Sequence, residues 1–140
     1  MKHYQLGLYE KAMPGTLSWR EKLKTAKRAG FDFVEISIDE SDEKLARLDM
    51  STAERMALVR EMSEAGLPIR SMCLSGHRKY PLGSSDPAVC TRSIEIMEKA
   101  VRLAADLGVR IIQLAGYDVY YEDSTPDTAA RFLENLSFAA

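Results

Sequence analysis

The chain has 140 residues, of which 46% are hydrophobic and 29% charged, with a formal net charge of −2. These values fit one globular domain and exclude bulk electrostatic attraction to nucleic acid or to an anionic membrane surface. No apolar run approaches the ~20 residues of a membrane-spanning helix, and Met1-Lys2-His3-Tyr4-Gln5 opens without the apolar stretch of a secretory signal. A cytoplasmic protein without nucleic-acid or membrane partners is expected. Cys73 and Cys90 are not in a CxxC spacing, and they read as free thiols in a reducing compartment.

Taken in chain order, Tyr4–Tyr9 reads as a first strand, in which Gly7 allows close approach by a neighbour. A loop over 10–15 follows. Ser18 with Glu21 forms a capping box that opens a first helix, with Trp19, Leu23 and Ala26 at helical spacing. Lys22, Lys24, Lys27 and Arg28 are expected on its solvated face. Phe31–Ser37 is the second strand, and Ser41–Met50 a charged loop. Ser51 with Glu54 caps a second helix, expected to carry Met56, Val59 and Met62 inward with Leu58 beside them.

Ile69–Leu74 is the third strand. Ser85-Asp86-Pro87 starts a long third helix, Pro87–Leu107, with proline at the first helical position and a stripe of Ile94, Met97, Val101, Leu103 and Ala104. Val109–Ala115 is the fourth strand, followed by a loop to Asp123 and a fourth helix from Thr125-Pro126 to Ala140. Gly30, Gly66 and Gly108 each close a helix just before an apolar run, at intervals of about 40 residues, one βα unit apart. Short apolar strands alternating with helices argue for a parallel sheet with right-handed crossovers. Either a small doubly wound sheet or part of a barrel fits. Neither GxGxxG nor GxxxxGK occurs, which argues against a nucleotide fold. A closed (β/α)₈ barrel takes about 250 residues, so four units make half of one.

In both architectures function gathers in the loops after the strands. Here those loops carry Tyr9, Glu10 and Lys11; Glu35, Ser37, Asp39 and Glu40; Ser75, His77, Arg78 and Lys79; and Gln113, Tyr117, Asp118, Tyr120, Tyr121 and Glu122. Carboxylates, hydroxyls and cations on one rim suit a polyol, and a cation there suits a phosphate. Glu35 interrupts an otherwise apolar strand, which points either to function or to an ion pair with Arg70 or Lys11. His77 is either an exposed loop residue or a donor, acid or base. Gly83-Ser84-Ser85 is either a phosphate-binding turn or the cap of the third helix. With only His3 and His77, no HxxxH and no GxSxG, neither a zinc set nor a serine triad is visible.

Several strings resemble the L-ribulose-5-phosphate 3-epimerases, also called L-xylulose-5-phosphate 3-epimerases or hexulose-6-phosphate isomerases, of L-ascorbate degradation. They are Gly7-Leu8-Tyr9-Glu10-Lys11-Ala12, Gly30-Phe31-Asp32-Phe33-Val34-Glu35, Asp39-Glu40, Arg47-Leu48-Asp49, Ser71-Met72-Cys73-Leu74-Ser75, His77-Arg78, Pro81-Leu82-Gly83-Ser84 and the run from Ile112 to Tyr121. Small departures are Gly76, Lys79 and Met50, where the family tends to carry alanine, arginine and tryptophan.

The resemblance implies an α/β fold, the N-terminal (βα)₄ half of a xylose-isomerase-like TIM barrel, with residues 1–140 as a single half-barrel truncated relative to the whole. It implies inversion at carbon 3 of a ketopentose 5-phosphate. In the full-length enzyme a divalent metal polarises the carbonyl and two glutamates exchange the proton through an enediolate. The resemblance places those glutamates, with the aspartate and histidine that complete the metal site, beyond residue 140. No catalytic or metal residue is therefore assigned here. Glu35, His77 and Tyr117, then Lys11, Arg78 and Gln113, are the substrate-binding candidates. The expected partners are a sugar phosphate and either a missing C-terminal half or, as a non-catalytic binding or assembly module, a second copy in a homodimer.

Overall fold

The computed structural model describes residues 4–139. Four strands lie in one parallel sheet in chain order: β1 (Gly7–Tyr9), β2 (Phe33–Ile38), β3 (Ile69–Leu74) and β4 (Ile111–Leu114). The helices are α1 (Trp19–Arg28), a short α2 (Asp42–Leu45), α3 (Thr52–Ala65), α4 (Pro87–Leu107) and α5 (Pro126–Ala139). The sequential order with helical crossovers is the α/β arrangement expected from the sequence. β3 and α4 have the bounds read from the sequence, whereas β1 is only three residues and β4 four. The capping boxes at Ser18 and Ser51 are both formed, and Gly30, Gly66 and Gly108 have φ of 85°, 62° and 72°. That left-handed conformation suits glycine.

The chain divides into two compact units. The first comprises Met1–Ser37, Met50–Cys73 and Leu103–Gln113. In it, Gly7, Leu8 and Tyr9 stand opposite Phe33, Val34 and Glu35. Val34 and Ile36 are fully buried, as are Leu23 and Ala26 of α1, and Leu58 and Met62 of α3 join them in the core. The intervening residues Phe33 and Glu35 are half-buried on the other face of the strand. Gly7 is required by its neighbour: a Cβ there would lie 2.3 Å from the Phe33 ring. Helix α1 packs on α3, tied by Arg20–Glu64 and by Lys27 Nζ donating to the Gly66 carbonyl at 3.0 Å.

The second unit comprises Ile38–Asp49, Leu74–Arg102 and Leu114–Ala140. Its core is Ile38, Leu45, Leu48, Leu74, Leu82, Ile96, Met97, Ala100 and Val119. The stretch after β2, expected as a loop over Ser41–Met50, is helical: α2 runs into a 3₁₀ turn, Ala46–Asp49. Ser41 caps it by accepting from Lys44 N at 3.3 Å, and Leu45 and Leu48 enter the core. Local capping thus turns a polar-looking segment into an amphipathic turn.

Three other expectations are corrected. Lys22 is not on a solvated face: it is 3% exposed, because the buried carboxylate of Glu10 holds it. Met56 is exposed and Leu58 is buried in its place, because two positions along α3 are about 200° apart around the helix and so lie on opposite faces. Val101 is likewise exposed, while Ile96, Ala100 and Leu107 carry the buried stripe of α4 with Met97, Leu103 and Ala104.

Candidate functional site

In the first unit the half-buried face of the sheet is polar. Tyr9 Oη and Ser37 Oγ lie 3.0 Å apart, and Ser71 Oγ donates to Glu35 Oε2 at 2.7 Å. Burial raises the Tyr9 pKa; Ser37 opposes the shift and Cys73 adds to it. The phenol is thus a neutral donor or acceptor at any ordinary pH. Glu35 is held by a neutral hydroxyl, and Arg70 reaches instead to Gln5 Oε1 at 2.7 Å. The ion pair with Arg70 weighed from the sequence does not form, because Arg70 is an exposed residue on the opposite face from Ser71. Lys11 and Gln113 are exposed.

Glu10, grouped with the rim in the sequence, is 1% exposed. Its carboxylate accepts from Lys22 Nζ at 2.8 Å and from Ser37 N at 2.7 Å. It is a structural anion that joins the first strand, the first helix and the second strand. Ser71 and Cys73 were missed in the sequence, although the alternation Ile69, Ser71, Cys73 marks one face of β3.

In the second unit the turn Gly76–Arg78 leaves β3. His77 is 5% exposed. Its Nε2 lies 3.0 Å from the carbonyl of Ser93, which can only accept, so Nε2 carries the proton and Nδ1 is the free acceptor. Burial lowers its pKa, against the opposing effect of the Ser93 bond. The imidazole is therefore neutral near pH 7.

Arg78 lies over the Tyr120 ring, 5.0 Å from its centroid. Tyr117 packs on Tyr120, centroids 5.0 Å apart, and Tyr121 meets it edge-on at 4.9 Å. The nearby Tyr117 hydroxyl is the largest influence raising the Arg78 pKa. Even so, neither that hydroxyl nor Arg78 Nε has a hydrogen bond of normal geometry, although both atoms are buried. Tyr121 Oη donates to both oxygens of Glu40, at 3.2 and 3.3 Å.

The Gly83-Ser84-Ser85 turn is filled by the chain itself. Glu122 accepts from Ser84 Oγ at 2.6 Å and from Ser85 N at 3.0 Å, while Asp86 caps α4 by accepting from Ala88 N at 2.8 Å. The capping residue of α4 is thus Asp86, one position beyond the turn read as the cap, and the three amides of Gly83, Ser84 and Ser85 donate to Asp118, Pro81 and Glu122. Arg131 donates to the carbonyls of Gly83 and Ser84 at 3.0 and 2.9 Å, fixing the turn from α5.

Of the six sequence candidates, Lys11, Glu35 and Gln113 belong to the first unit and His77, Arg78 and Tyr117 to the second. Within the second, Arg78 and Tyr117 both pack against Tyr120. Among the described residues, no three His, Cys, Asp or Glu side chains are grouped so as to hold a metal ion. The donor set present therefore does not fit the divalent metal implied by the resemblance. No helix among the described residues is long and apolar enough to cross a membrane.

Four parallel strands in the sequential order β1-β2-β3-β4, joined by helices, are the arrangement of a TIM-barrel type of α/β protein, whereas a doubly wound sheet reverses its strand order. The xylose isomerase-like TIM barrel family model matches residues 23–140, and the chain belongs to that family. It is 60% identical over 139 residues to the protein named "Putative L-ribulose-5-phosphate 3-epimerase SgbU" of Escherichia coli strain K12, covering 99% of this chain and 49% of that protein. It is 53% identical over 135 residues to the L-ribulose-5-phosphate 3-epimerase UlaE of Salmonella heidelberg strain SL476, covering 96% and 48%. The chain thus spans about half the length of the curated relatives it matches. A crystal structure of D-psicose 3-epimerase in the presence of D-fructose aligns with a TM-score of 0.77 at 16% identity, covering 96% of this chain and 47% of that one. A structure of L-ribulose 3-epimerase aligns at 0.70 and 24%, covering 97% and 44%. At those identities the two structures speak to the fold alone.

Proposed function

We propose that this chain is the substrate-orienting half of a ketopentose-phosphate 3-epimerase that interconverts L-ribulose 5-phosphate and L-xylulose 5-phosphate. The observation that carries the reading is 60% identity across 99% of the chain to a relative named for that epimerase. The polar residues described above support it. Glu35, held by Ser71, is an acceptor for sugar hydroxyls. Gln113 and Lys11 offer a mixed donor–acceptor pair and a cation. His77 accepts through Nδ1, and Arg78 and Tyr117 donate. Their role is to fix the sugar in position, which is a large part of catalysis when reacting groups are supplied in register. The proton-transferring carboxylates and the metal they hold belong, on this reading, to a second half resembling the remainder of the relatives.

The test is to follow carbon 3 of L-ribulose 5-phosphate by NMR with the chain alone, and with the chain co-expressed with the C-terminal half of the Escherichia coli relative. No turnover alone and epimerisation by the pair is the expected result. Failure of the pair, when the relative's own two halves reconstitute activity, overturns the proposal.

A second reading, a module that assembles with a copy of itself or with a separate half, is favoured by exposed apolar side chains. Ile111 on β4 is 62% exposed and Phe138 on α5 is 70% exposed. β4 is an edge strand of the sheet, and the unpaired backbone groups of an edge strand are a template for pairing with another chain. Light scattering separates the two: a stable dimer of this chain supports the second reading.

A further inference from the structure

We propose that the groove between α4 and α5 is a self-association surface, on which a second copy of this chain packs antiparallel about a two-fold axis at the middle of α4. The inference goes beyond the function proposed above, since it uses neither the polar residues after the strands nor the edge of β4.

The groove has a volume of about 310 Å³, and both of its walls belong to the second unit. Leu82 and Met97 are buried at its base and Ile94 is half-buried. Val101 and Phe138 line it while being 45% and 70% exposed. Asn135 Nδ2 donates to the Leu82 carbonyl at 2.7 Å and to Cys90 Sγ at 3.3 Å, so its amide hydrogens are spent within the fold. A surface helix normally confines its apolar residues to the arc that faces the core. On α4 that arc runs on from buried Met97 to exposed Val101.

The lip of the groove carries one charge of each sign. Glu98 and Arg102 stand one turn apart, 51% and 74% exposed, with 4.0 Å between Oε2 and Nη2. Exposed pairs at that separation are weakly held, so both groups keep capacity for another partner. Their neighbours on α4 are committed, Arg92 to Glu95 at 2.9 Å and Lys99 to Asp49.

The pattern of these residues selects the partner. A helix rises about 1.5 Å per residue, so Glu98 lies about 3 Å to one side of the level of Ala100 and Arg102 about 3 Å to the other. A two-fold axis at that level, perpendicular to α4, brings Val101 beside Val101 of the copy. It sets Glu98 against Arg102 of the copy on both flanks, as an isologous interface requires. Two ion pairs then flank an apolar centre. A partner with charge of a single sign would satisfy one of the two groups and repel the other, and a parallel copy would set Glu98 against Glu98. Phe138 adds a projecting ring beside the recess, so the same face offers both a knob and a hole.

The test is sedimentation velocity of the full chain over a range of concentrations, where a reversible monomer–dimer equilibrium is expected. Val101→Glu, which puts two carboxylates beside the axis, should weaken the dimer by about tenfold or more. Glu98→Arg, which sets like charges together on both flanks, should do the same. Glu98→Arg combined with Arg102→Glu restores opposite signs across the axis and should return the dissociation constant to within about threefold of its original value. Circular dichroism checks that each variant folds; should Val101→Glu not fold, Glu98→Arg, which alters an exposed side chain, carries the test.

A chain that stays monomeric up to its solubility limit overturns the proposal. So does a dimer that Val101→Glu and Glu98→Arg leave unchanged, because it is assembled elsewhere, as by the edge of β4. Failure of the double exchange to restore what Glu98→Arg removes overturns it as well. Epimerisation by the paired halves is read separately by NMR, so none of these outcomes decides the function proposed above.

Discussion

Glu10 and Lys22 form an ion pair shut away from water, with Nζ 2.8 Å from Oε2 and side chains 1% and 4% exposed. The second carboxylate oxygen accepts from the backbone of Ser37, so one buried anion ties together the end of β1, helix α1 and strand β2. Removing one partner strands the other charge, which typically costs about 3–5 kcal/mol, whereas replacing both by neutral groups of similar size costs far less. Lys22→Met alone is therefore expected to destabilise severely. Glu10→Gln with Lys22→Met, which keeps an acceptor for Ser37, should cost less than the sum of the single changes. Urea denaturation of the three variants measures this, and strict additivity would refute the coupling.

Three glycines make a graded series. At Gly66 the φ is 62° and a Cβ would meet nothing within 4 Å, so Gly66→Ala should cost only the conformational penalty, about 1 kcal/mol. At Gly7 the Cβ would strike the Phe33 ring, a side chain able to swing aside. Gly7→Ala should cost about 1–3 kcal/mol as overpacking and recover in part with Phe33→Leu. At Gly83 the Cβ would fall 2.5 Å from the Thr128 carbonyl and 2.6 Å from that of Asp118, and neither is free to move. Gly83→Ala should be the worst of the three in thermal denaturation.

His77 predicts a pH dependence. Burial holds its folded pKa below the unfolded value of about 6.5. The unfolded chain therefore binds the proton more readily. The associated stability is complete above about pH 6.5 and is lost as the pH falls through that value toward the lower folded pKa. Glu21 and Glu54, whose pKa values are lowered by hydrogen bonds from Ser18 and Ser51, begin to lose their contribution only below the carboxylate value of 4.5, so their loss sets in at a lower pH than that of His77. His77→Gln should flatten the stability profile just below pH 6.5 while leaving the acid limb intact. A slope unchanged in that range would show that His77 does not titrate as argued.

Glu122 closes the loop after β4 onto the start of α4. Glu122→Ala leaves Ser84 Oγ and Ser85 N without their acceptor, a loss of about 1–3 kcal/mol if the two groups stay dry. It should also raise hydrogen exchange at Ser85. Wild-type protection at that amide in the variant would show that Glu122 is not its essential acceptor.

The strand–helix order, the capping boxes and the left-handed glycines were legible in the sequence because each is a local rule, set by residues within a few positions of one another. The same is true of the family, carried by short contiguous strings. Side-chain partners were not legible. Glu10 and Lys22 each look like solvated loop and helix residues until the chain brings them together. Glu122 and the Gly83 turn are likewise far apart in sequence, and an ordinary polar loop residue becomes an internal ligand only once both loops are placed.

What the sequence determined by itself is the alternation of four strands with helices and the chemical types gathered after each strand, since periodicity and capping act over single turns. The tertiary structure alone decided which of those groups are spent on the fold and which keep unused hydrogen-bonding capacity. Glu10, Glu122 and the Nε2 of His77 are spent, and Arg78 and Tyr117 are not. The physical reason is burial: a polar group withdrawn from water must find a partner, and which partner lies within reach depends on residues brought together from distant parts of the chain.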